Sequence, residues 1–314
     1  MIIEIELGVN PRKLELSLTS PLIQDVSLKP KILFDLIGDV HGHLDLLVEL
    51  LKKLGYSKKK NSFLHPEGRK VIFVGDLINR GPDTEGVLHL VREMNEQNQA
   101  LISIGNHEFR AIQESVRFGK LKNNQLNQFI PWIRSWPLFL DLEDLRVVHA
   151  VWHFSSISKL KTAKLDDDSF IESTWQKESL SKKAVQIILS GLKVSLPEEL
   201  EMRDRFGIIR EKGRIKWWID PKNKPFSEYL LSPMYPSPNH LFPSTEEVKH
   251  VEPYPMNGKP VFFGHYCLPP EVPKIDGMAV CLDGCVTCDK KLWAYQWQGE
   301  NSPDPAHLIS FPAD

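Results

Sequence analysis

Short apolar runs alternate along the first half of the chain with segments of helical periodicity. The runs cover residues 32–37, 71–74 and 101–104. Runs of this length without polar alternation are typical of strands that are buried on both faces of a parallel sheet. The pattern therefore predicts an α/β fold in which strands and helices follow one another.

The segments between these runs have the spacing of amphipathic helices. The first has an apolar stripe of Leu44, Leu47, Val48, Leu51 and Leu54. Gly55 is placed to end this helix, and Glu49 can pair with Lys53 one turn further on. The second should extend from 83 to 98, with Val87, Leu88, Val91 and Met94 as its apolar face. A third should begin near Asn106, where its first amides would favour a bound phosphate.

Polar blocks follow the apolar runs, where the strands should end. These blocks are Gly38-Asp39-Val40-His41-Gly42, Gly75-Asp76-Leu77-Ile78-Asn79-Arg80-Gly81 and Gly105-Asn106-His107-Glu108. His149 follows another apolar run, and Gly264-His265 comes later. Because ligands bind at the carboxyl ends of strands in open α/β sheets, we expect these side chains to converge on one rim.

The converging side chains have the chemistry of metal ligands. Aspartate, asparagine and histidine without thiolate suit manganese, iron or zinc better than a cysteine-rich structural zinc site. We assign one ion to Asp39, His41 and Asp76, and a second to Asn106, His149 and His265, with Asp76 as a possible bridge. Two ions roughly 3.5–4 Å apart suit in-line displacement at phosphorus. The prediction is two divalent transition-metal ions, with manganese first and iron, zinc or nickel as alternatives.

The ordered set resembles the calcineurin-like metallophosphoesterases, in the branch of the phosphoprotein phosphatases and the bacterial symmetrical diadenosine tetraphosphatases. The three blocks carry the resemblance, together with Val147-Val148-His149-Ala150, Phe263-Gly264-His265 and the segment 281–286. It covers residues 31–152 and 259–298. It implies a sandwich of two mixed β-sheets flanked by helices, with an inserted lid.

The resemblance also implies roles in hydrolysis of a phosphate ester or anhydride by a metal-bridging hydroxide. Arg80 would fork onto phosphoryl oxygens, a task that suits a planar guanidinium, although a salt bridge within its turn is the alternative. His107 would protonate the leaving oxygen. A phosphate-gripping arginine is expected from the insertion, with Arg214 and Arg203 as candidates. Asn79 departs from the family, where most members have an aspartate that orients the histidine.

Composition changes this picture at a few points. The proline-rich stretch from 221 to 260 predicts a lid in residues 153–258, between core segments 31–152 and 259–314. Residues 1–30 would be an extension, either an edge hairpin or a contact for a partner. The net charge of -2 argues against general nucleic-acid binding, and neither a membrane span nor a signal peptide is expected. The four cysteines indicate reduced thiols in a cytoplasmic protein rather than a zinc site at Cys285 and Cys288.

Three functions remain open at this point. The first is a phosphatase whose partner is a phosphorylated small molecule or protein. The second is a hydrolase of dinucleoside polyphosphates or RNA ends, favoured by the segment 281–286 and by possible base stacking on Trp217 or Trp218. The third is a non-catalytic scaffold that keeps a metal site, which Asn79 leaves open.

Overall fold

The computed structural model describes residues 32–60, 62–200, 202–203, 207–231, 239–268, 270 and 272–312. The expected hairpin in residues 1–30 lies outside these ranges. The strands are β1 Phe34–Ile37, β2 Ser57–Lys59, β3 Ser62–Leu64, β4 Lys70–Phe73, β5 Ala100–Ile102, β6 Phe139–Asp141, β7 Arg146–Val148, β8 Lys193–Ser195, β9 Met202–Arg203, β10 Ile209–Arg210, β11 Lys212–Arg214, β12 Val261–Phe263, β13 Ile275–Asp276, β14 Ala279–Cys281, β15 Leu292–Trp297 and β16 Leu308–Phe311. The helices are α1 Leu44–Lys53, α2 Thr84–Glu96, α3 Asn106–Phe118, α4 Ile130–Ile133, α5 Phe154–Leu160, α6 Asp168–Ser173, α7 Leu180–Ser190, α8 Phe226–Tyr229, α9 Thr245–Val248 and α10 Val286–Asp289.

The first large sheet has the strand order β16-β15-β1-β4-β5. Strands β1, β4 and β5 run parallel, as the apolar runs predicted, whereas β15 and β16 are antiparallel. Ile37 lies opposite Phe73, and Phe73 lies opposite Ile102. The three parallel strands therefore end level with one another, and the three polar blocks begin at the same edge.

The second large sheet has the order β13-β14-β12-β7-β6. Its central strands β7, β12 and β14 are parallel, and both edges are antiparallel. Phe262 pairs with Val147 and Phe263 pairs with Cys281. The segments that carry His149, His265 and Asp283 thus leave this sheet together.

Alternate residues of the central strands explain why these runs are apolar throughout. Leu36 and Ile72 of the first sheet join Val147 and Phe262 of the second in one buried cluster. Their chain neighbours, such as Phe73, face a larger cluster that contains the apolar faces of α1, α2 and α3. The result is a sandwich of two mixed sheets covered by helices, which confirms the expected fold class.

The helix predictions are confirmed with one correction. Helix α1 ends at Lys53, and Gly55 has a φ of 97°. The four residues predicted for the apolar face of α2 are fully buried. However, the pairing of Glu49 with Lys53 is wrong, since Glu49 contacts Lys52 Nζ at 2.6 Å while Lys53 Nζ donates to the backbone oxygen of Ser310. No helix of the described ranges is long and apolar enough to cross a membrane.

The described part of the inserted segment packs against the second sheet. Helix α7 contacts the segment after β7, where the amide of Ala150 donates to Ile188 O at 2.9 Å. Trp217 is fully buried with its ring centroid 5.2 Å from that of Phe263, and Trp218 is 9 % exposed. The idea that a base stacks on either tryptophan is therefore wrong, because both rings are already covered by protein. The boundaries at 30, 152 and 259 stay predictions.

Candidate metal centre

The Asp76 carboxylate lies at the middle of the site, directly after β4. Its Oδ2 is 3.7 Å from Nε2 of His41 and 3.4 Å from Nε2 of His149. Its Oδ1 accepts a hydrogen bond from the backbone amide of His107 at 2.9 Å. Asp76 belongs to two groups of potential ligand atoms that lie within 4.8 Å of one another, one with His41 and His107, the other with His149 and His265. A carboxylate shared by two such groups has the position that a bridging ligand needs.

Asn106 completes the second group. Its Oδ1 lies 3.0 Å from Nε2 of His149 and 2.8 Å from Nδ1 of His265. The three donors come from α3 and from the segments after β7 and β12, so the sandwich itself brings them together. An amide oxygen and two imidazole nitrogens at one point form a donor set that suits a divalent transition metal.

Asp39 is held between the two sheets. Its carboxylate accepts from the backbone amide of His265, at 3.1 Å for Oδ2, and Oδ2 lies 3.9 Å from Nε2 of His41. A side chain on Gly264 would clash with Oδ1 of Asp39, so only glycine fits before His265. This requirement explains why the later block reads Gly264-His265.

Two of the histidines are oriented through Nδ1, which leaves Nε2 as the atom that faces the site. Nδ1 of His41 donates to Ile78 O at 3.1 Å, and Nδ1 of His149 donates to Val74 O at 3.0 Å. Because a ring nitrogen that faces a carbonyl must carry a proton, Nε2 of neutral His41 keeps its lone pair. Nε2 of His149 also faces the Asn106 oxygen, so it carries a proton that a bound ion would have to displace. In both rings Nε2 is the atom close to Asp76. The residues therefore fit a metal centre in donor type and in the orientation of both rings.

The titration of the cluster also fits a cationic occupant. Burial, with the nearby Asp283 carboxylate, raises the pKa of Asp39 well above its usual range. Burial alone would also raise the pKa of Asp76, but His149, His107 and His41 hold it well below its usual range. Burial alone would lower the pKa of His149, yet Asp76 and Asp39 raise it to about 10. Without an ion, protonated His149 supplies positive charge to these buried carboxylates, and divalent ions bound there would take over that role.

Several site residues have a left-handed backbone. The φ angles are 44° at His41, 51° at Asp76, 68° at Asn79, 69° at Arg80 and 68° at His265. Aspartate, asparagine and histidine enter this region more readily than most side chains, although it is strained for any residue except glycine. This backbone conformation directs the side chains of His41, Asp76 and His265 toward the centre of the site.

Glu108 has a role that the sequence did not reveal. Its carboxylate is fully buried and accepts four backbone amides, from Asp76 at 3.0 Å, Leu77 at 2.7 Å, Ile78 at 3.0 Å and Gly105 at 3.0 Å. It therefore ties the loop after β4 to the start of α3. Burial and the Asp76 charge raise its pKa to about 7. The only sign of this role in the sequence is that Glu108 directly follows His107.

Asp283 holds a second connection. Its carboxylate accepts from the amides of Cys267 at 2.6 Å and Cys285 at 2.7 Å, which joins the segment after His265 to that after β14. The sequence pattern did not predict that this buried acid would raise the pKa of Asp39.

Asn79 and Arg80 form the exposed rim. The side-chain amide nitrogen of Asn79 donates to Nδ1 of His107 at 3.0 Å. Burial lowers the pKa of His107 to about 4, and the charges of His41 and Arg80 contribute. Arg80 makes no hydrogen bond or ion pair within the part of the chain that is described. The salt bridge offered as its alternative role is therefore not formed there.

The two candidate arginines of the insertion lie in different places. Arg214 Nη2 is 3.2 Å from Nε2 of His265, and Nη1 lies 3.3 Å from its backbone oxygen. Because the guanidinium only donates, it places the ring proton of neutral His265 on Nδ1, facing Asn106. Arg214 must turn away before Nδ1 can act as a ligand. Arg203 lies in β9, which pairs with β10, and donates to Gly207 O at 3.2 Å. Its phosphate role stays a prediction.

The cysteines correct an expectation. Cys267 and Cys285 form a disulfide with their Cα atoms 4.2 Å apart, while Cys281 is buried and Cys288 exposed as free thiols. The expectation of four reduced thiols is wrong, because residues 18 positions apart meet beside Asp283. The argument from reduced thiols for a cytoplasmic location therefore no longer holds.

Comparison with known proteins agrees with this architecture. The family model of the calcineurin-like phosphoesterases matches residues 32–219, which is more than half of the chain. The chain belongs to this family.

Three curated relatives are similar to part of this chain. The asymmetrical bis(5'-nucleosyl)-tetraphosphatase PrpE of Halalkalibacterium halodurans is 51 % identical over 74 residues, 24 % of this chain and 30 % of the relative. The protein of the same name from Oceanobacillus iheyensis is 33 % identical over 140 residues, 37 % of this chain and 54 % of the relative. The symmetrical bis(5'-nucleosyl)-tetraphosphatase of a Marinomonas species is 34 % identical over 122 residues, which are 36 % of this chain and 41 % of the relative. The matches span about a third to a half of these relatives.

Solved structures extend over more of the chain at lower identity. A putative diadenosine tetraphosphatase matches 91 % of this chain and 96 % of its own, with a TM-score of 0.46 and 16 % identity. A serine/threonine phosphatase from Saccharomyces cerevisiae matches 91 % of this chain and 81 % of its own, with a TM-score of 0.46 and 15 % identity.

Proposed function

We propose that this protein is a metal-dependent hydrolase of phosphate esters or anhydrides. The observation that carries the proposal is the position of Asp76, whose carboxylate belongs to both groups of potential ligands. Family membership supports the same reaction class.

The metal ligands in this proposal are six side chains. They are Asp39, His41, Asp76, Asn106, His149 and His265. Two divalent ions bound there, with manganese as the first choice, would supply an activated water and neutralise charge that develops on the phosphoryl group. Glu108 keeps the loops that carry Asp76 and Asn106 in register, through its four amide hydrogen bonds.

His107 is proposed as the proton donor to the leaving oxygen. Its Nδ1 accepts from Asn79, so the proton of the neutral ring lies on Nε2, which is 3.9 Å from Asp76 Oδ2 and faces the site. A protonated nitrogen does not coordinate a metal but does donate a hydrogen bond. This opposes a role of His107 as a further ligand, although it stands in a ligand group with His41 and Asp76. The acid role itself requires the imidazolium, and the lowered pKa of His107 makes that form scarce at neutral pH, so His107 would be a weak acid.

Arg80 and Arg214 are proposed to hold the phosphoryl oxygens. Arg80 is exposed at the rim without a protein partner in the described ranges, so its fork is available to a ligand. Arg214 lies over His265 and the Tyr266 ring, with its guanidinium carbon 5.7 Å from the ring centroid. A bidentate arginine contact both binds and orients a phosphate.

The substrate class favoured here is a nucleotide with linked phosphates. The curated relatives are named bis(5'-nucleosyl)-tetraphosphatases, and Asn79 leaves His107 without the negative partner that helps cleavage of poor leaving groups. A phosphate anhydride has a better leaving group than an alkyl phosphate. The scaffold alternative is opposed by a donor set with no missing member.

One experiment tests the reaction class and ranks the substrates. The full chain is stripped with chelator, reconstituted with manganese, iron, zinc or nickel, and assayed on nitrophenyl phosphate, diadenosine tetraphosphate and a phosphoserine peptide. We expect ion-dependent turnover of the first two and weak turnover of the peptide. Stoichiometric ion binding without turnover of any substrate would identify a scaffold and reject the proposal.

A further inference from the structure

A groove of about 360 Å³ leads away from the metal centre between α3 and α7. It begins at Asn106, whose Oδ1 contacts the two ligand histidines His149 and His265. Arg110 lies on the same groove, one helical turn beyond Asn106 and so about 6 Å further along α3. A ligand anchored at the centre can therefore extend along this groove.

The groove has positive charge without compensation. Arg110 and Lys182 both line it, and the described residues that line it include no carboxylate. Within the described ranges neither side chain makes a hydrogen bond or an ion pair. The next residue of α7 provides the contrast, since Lys183 Nζ contacts Glu178 Oε2 at 3.0 Å. Two cations on separate helices thus face one cleft without a protein partner.

The walls of the groove are fixed by packing and hydrogen bonds. Gln113 Nε2 donates to Thr174 Oγ1 at 2.8 Å, and that hydroxyl donates to Ile171 O at 2.6 Å. Phe109 and Leu189 are buried beneath the opening. The two cations are therefore presented from a rigid surface, which lowers the entropy lost when a ligand binds.

We propose that this groove binds further phosphates linked to the one at the metal centre, so that Arg110 and Lys182 select substrates with a phosphate chain. The inference rests on the proposed function and adds a subsite to it. A phosphate chain has negative charge at every link, which suits two cations in line with the centre. A phosphopeptide has no obligatory negative charge at that distance from its phosphate, so it would gain little from the groove.

Charge-removing variants test the selection. Arg110→Gln, Lys182→Gln and the double variant are compared with Lys183→Gln, which removes a neighbouring charge outside the groove. For each variant kcat/KM is measured on diadenosine tetraphosphate, nitrophenyl phosphate and the phosphoserine peptide, with the full ion-loaded chain. A lost charge-assisted contact lowers affinity roughly tenfold.

The expected result is a change in substrate ratio. The double variant should lower kcat/KM for diadenosine tetraphosphate at least tenfold more than for nitrophenyl phosphate or the peptide. Lys183→Gln should leave the ratio as in the wild type. An unchanged ratio, or an equal loss on tetraphosphate and peptide, would overturn the phosphate-chain assignment.

A binding measurement separates this inference from the proposed function. Calorimetry of the ion-loaded chain with inorganic tripolyphosphate and with orthophosphate needs no turnover. The wild type should bind tripolyphosphate more tightly, and the double variant should lose most of that difference. If no substrate is hydrolysed, the proposed function fails while this measurement still decides the groove. Equal affinities of the wild type for the two probes would reject the subsite.

Discussion

The side-chain amide nitrogen of Asn79 lies 3.0 Å from Nδ1 of His107. An amide nitrogen only donates, so Nδ1 must accept and the neutral ring keeps its proton on Nε2. An aspartate in the same place would accept from Nδ1 instead and would stabilise the imidazolium. The identity of residue 79 therefore decides which protonation state of His107 is favoured.

Replacing Asn79 by aspartate should strengthen His107 as an acid. The added carboxylate should raise the pKa of His107 and extend the alkaline limb of the pH profile. The gain should be largest on alkyl phosphates and small on nitrophenyl phosphate, whose leaving group needs little protonation, with a ceiling of roughly 10²–10⁴-fold. The measurement is kcat/KM against pH on both substrates.

The background variant His107→Ala provides the control for this change. In the His107→Ala background, the dependence of kcat/KM on pH should be the same with asparagine or with aspartate at position 79. If Asn79→Asp left the profile unchanged while ions bound normally, His107 would not be the acid.

Arg80→Lys should weaken phosphate binding without loss of the ions. Lysine keeps the charge but loses the planar fork, so inhibition by orthophosphate and kcat/KM should each fall roughly tenfold. Arg92→Lys is the matched control, because Arg92 contacts Glu96 on the exposed side of α2. Wild-type inhibition by phosphate in Arg80→Lys would assign Arg80 a structural role.

Asp76→Asn should reduce the content of both ions. The amide keeps one oxygen but loses the negative charge that the two ligand groups share. Ion content by mass spectrometry and turnover should fall together, while the exposed Asp45→Asn should retain both. Full ion content in Asp76→Asn would show that Asp76 is not the bridge.

Glu108→Gln should destabilise the loops that carry the ligands. The new amide group would face backbone amides that also donate, leaving at least one buried donor without an acceptor, at about 1–3 kcal/mol of unfolding free energy. Urea unfolding measures the loss. Glu96→Gln, on the surface of α2, should change stability by less than about 1 kcal/mol. Equal stability of wild type and Glu108→Gln would mean that another group satisfies those amides.

The disulfide should be visible by peptide mapping. Alkylation of the native chain should modify Cys288, and Cys281 should react only after unfolding, because it is buried. Cys267 should be recovered linked to Cys285, and reduction should lower the unfolding free energy by about 3 kcal/mol for a loop of 18 residues. Alkylation of all four thiols in the unreduced, unfolded chain would contradict the link.

The parallel strands and the polar blocks at their ends were accessible from the sequence for a physical reason. Leu36 and Phe73 are buried on opposite faces of one sheet, so the strands are apolar at every position. The helix of residues 84–96 shows its buried stripe at the expected spacing for the same reason. Local patterns of this kind need no knowledge of distant residues.

Other features depend on contacts between distant parts of the chain. The sequence leaves Trp217 open to base stacking, whereas in the structure Phe263 and Tyr254 cover its ring. The four amides on Glu108 come mostly from residues some thirty positions earlier. The insertion has strands of two or three residues, too short to show a period. These features follow from packing between segments, which local periodicity does not encode.

The left-handed backbone at His41, Asp76 and His265 has a thermodynamic consequence. Each such residue costs about 1–3 kcal/mol, and folding bears this cost whether or not ions are present. Ions that bind the folded centre but not the unfolded chain offset the cost by mass action. Stripping them should leave the sandwich intact while the ligand loops open first, which hydrogen exchange would register as loss of protection there. The concentration of free ions should therefore set how often these loops open.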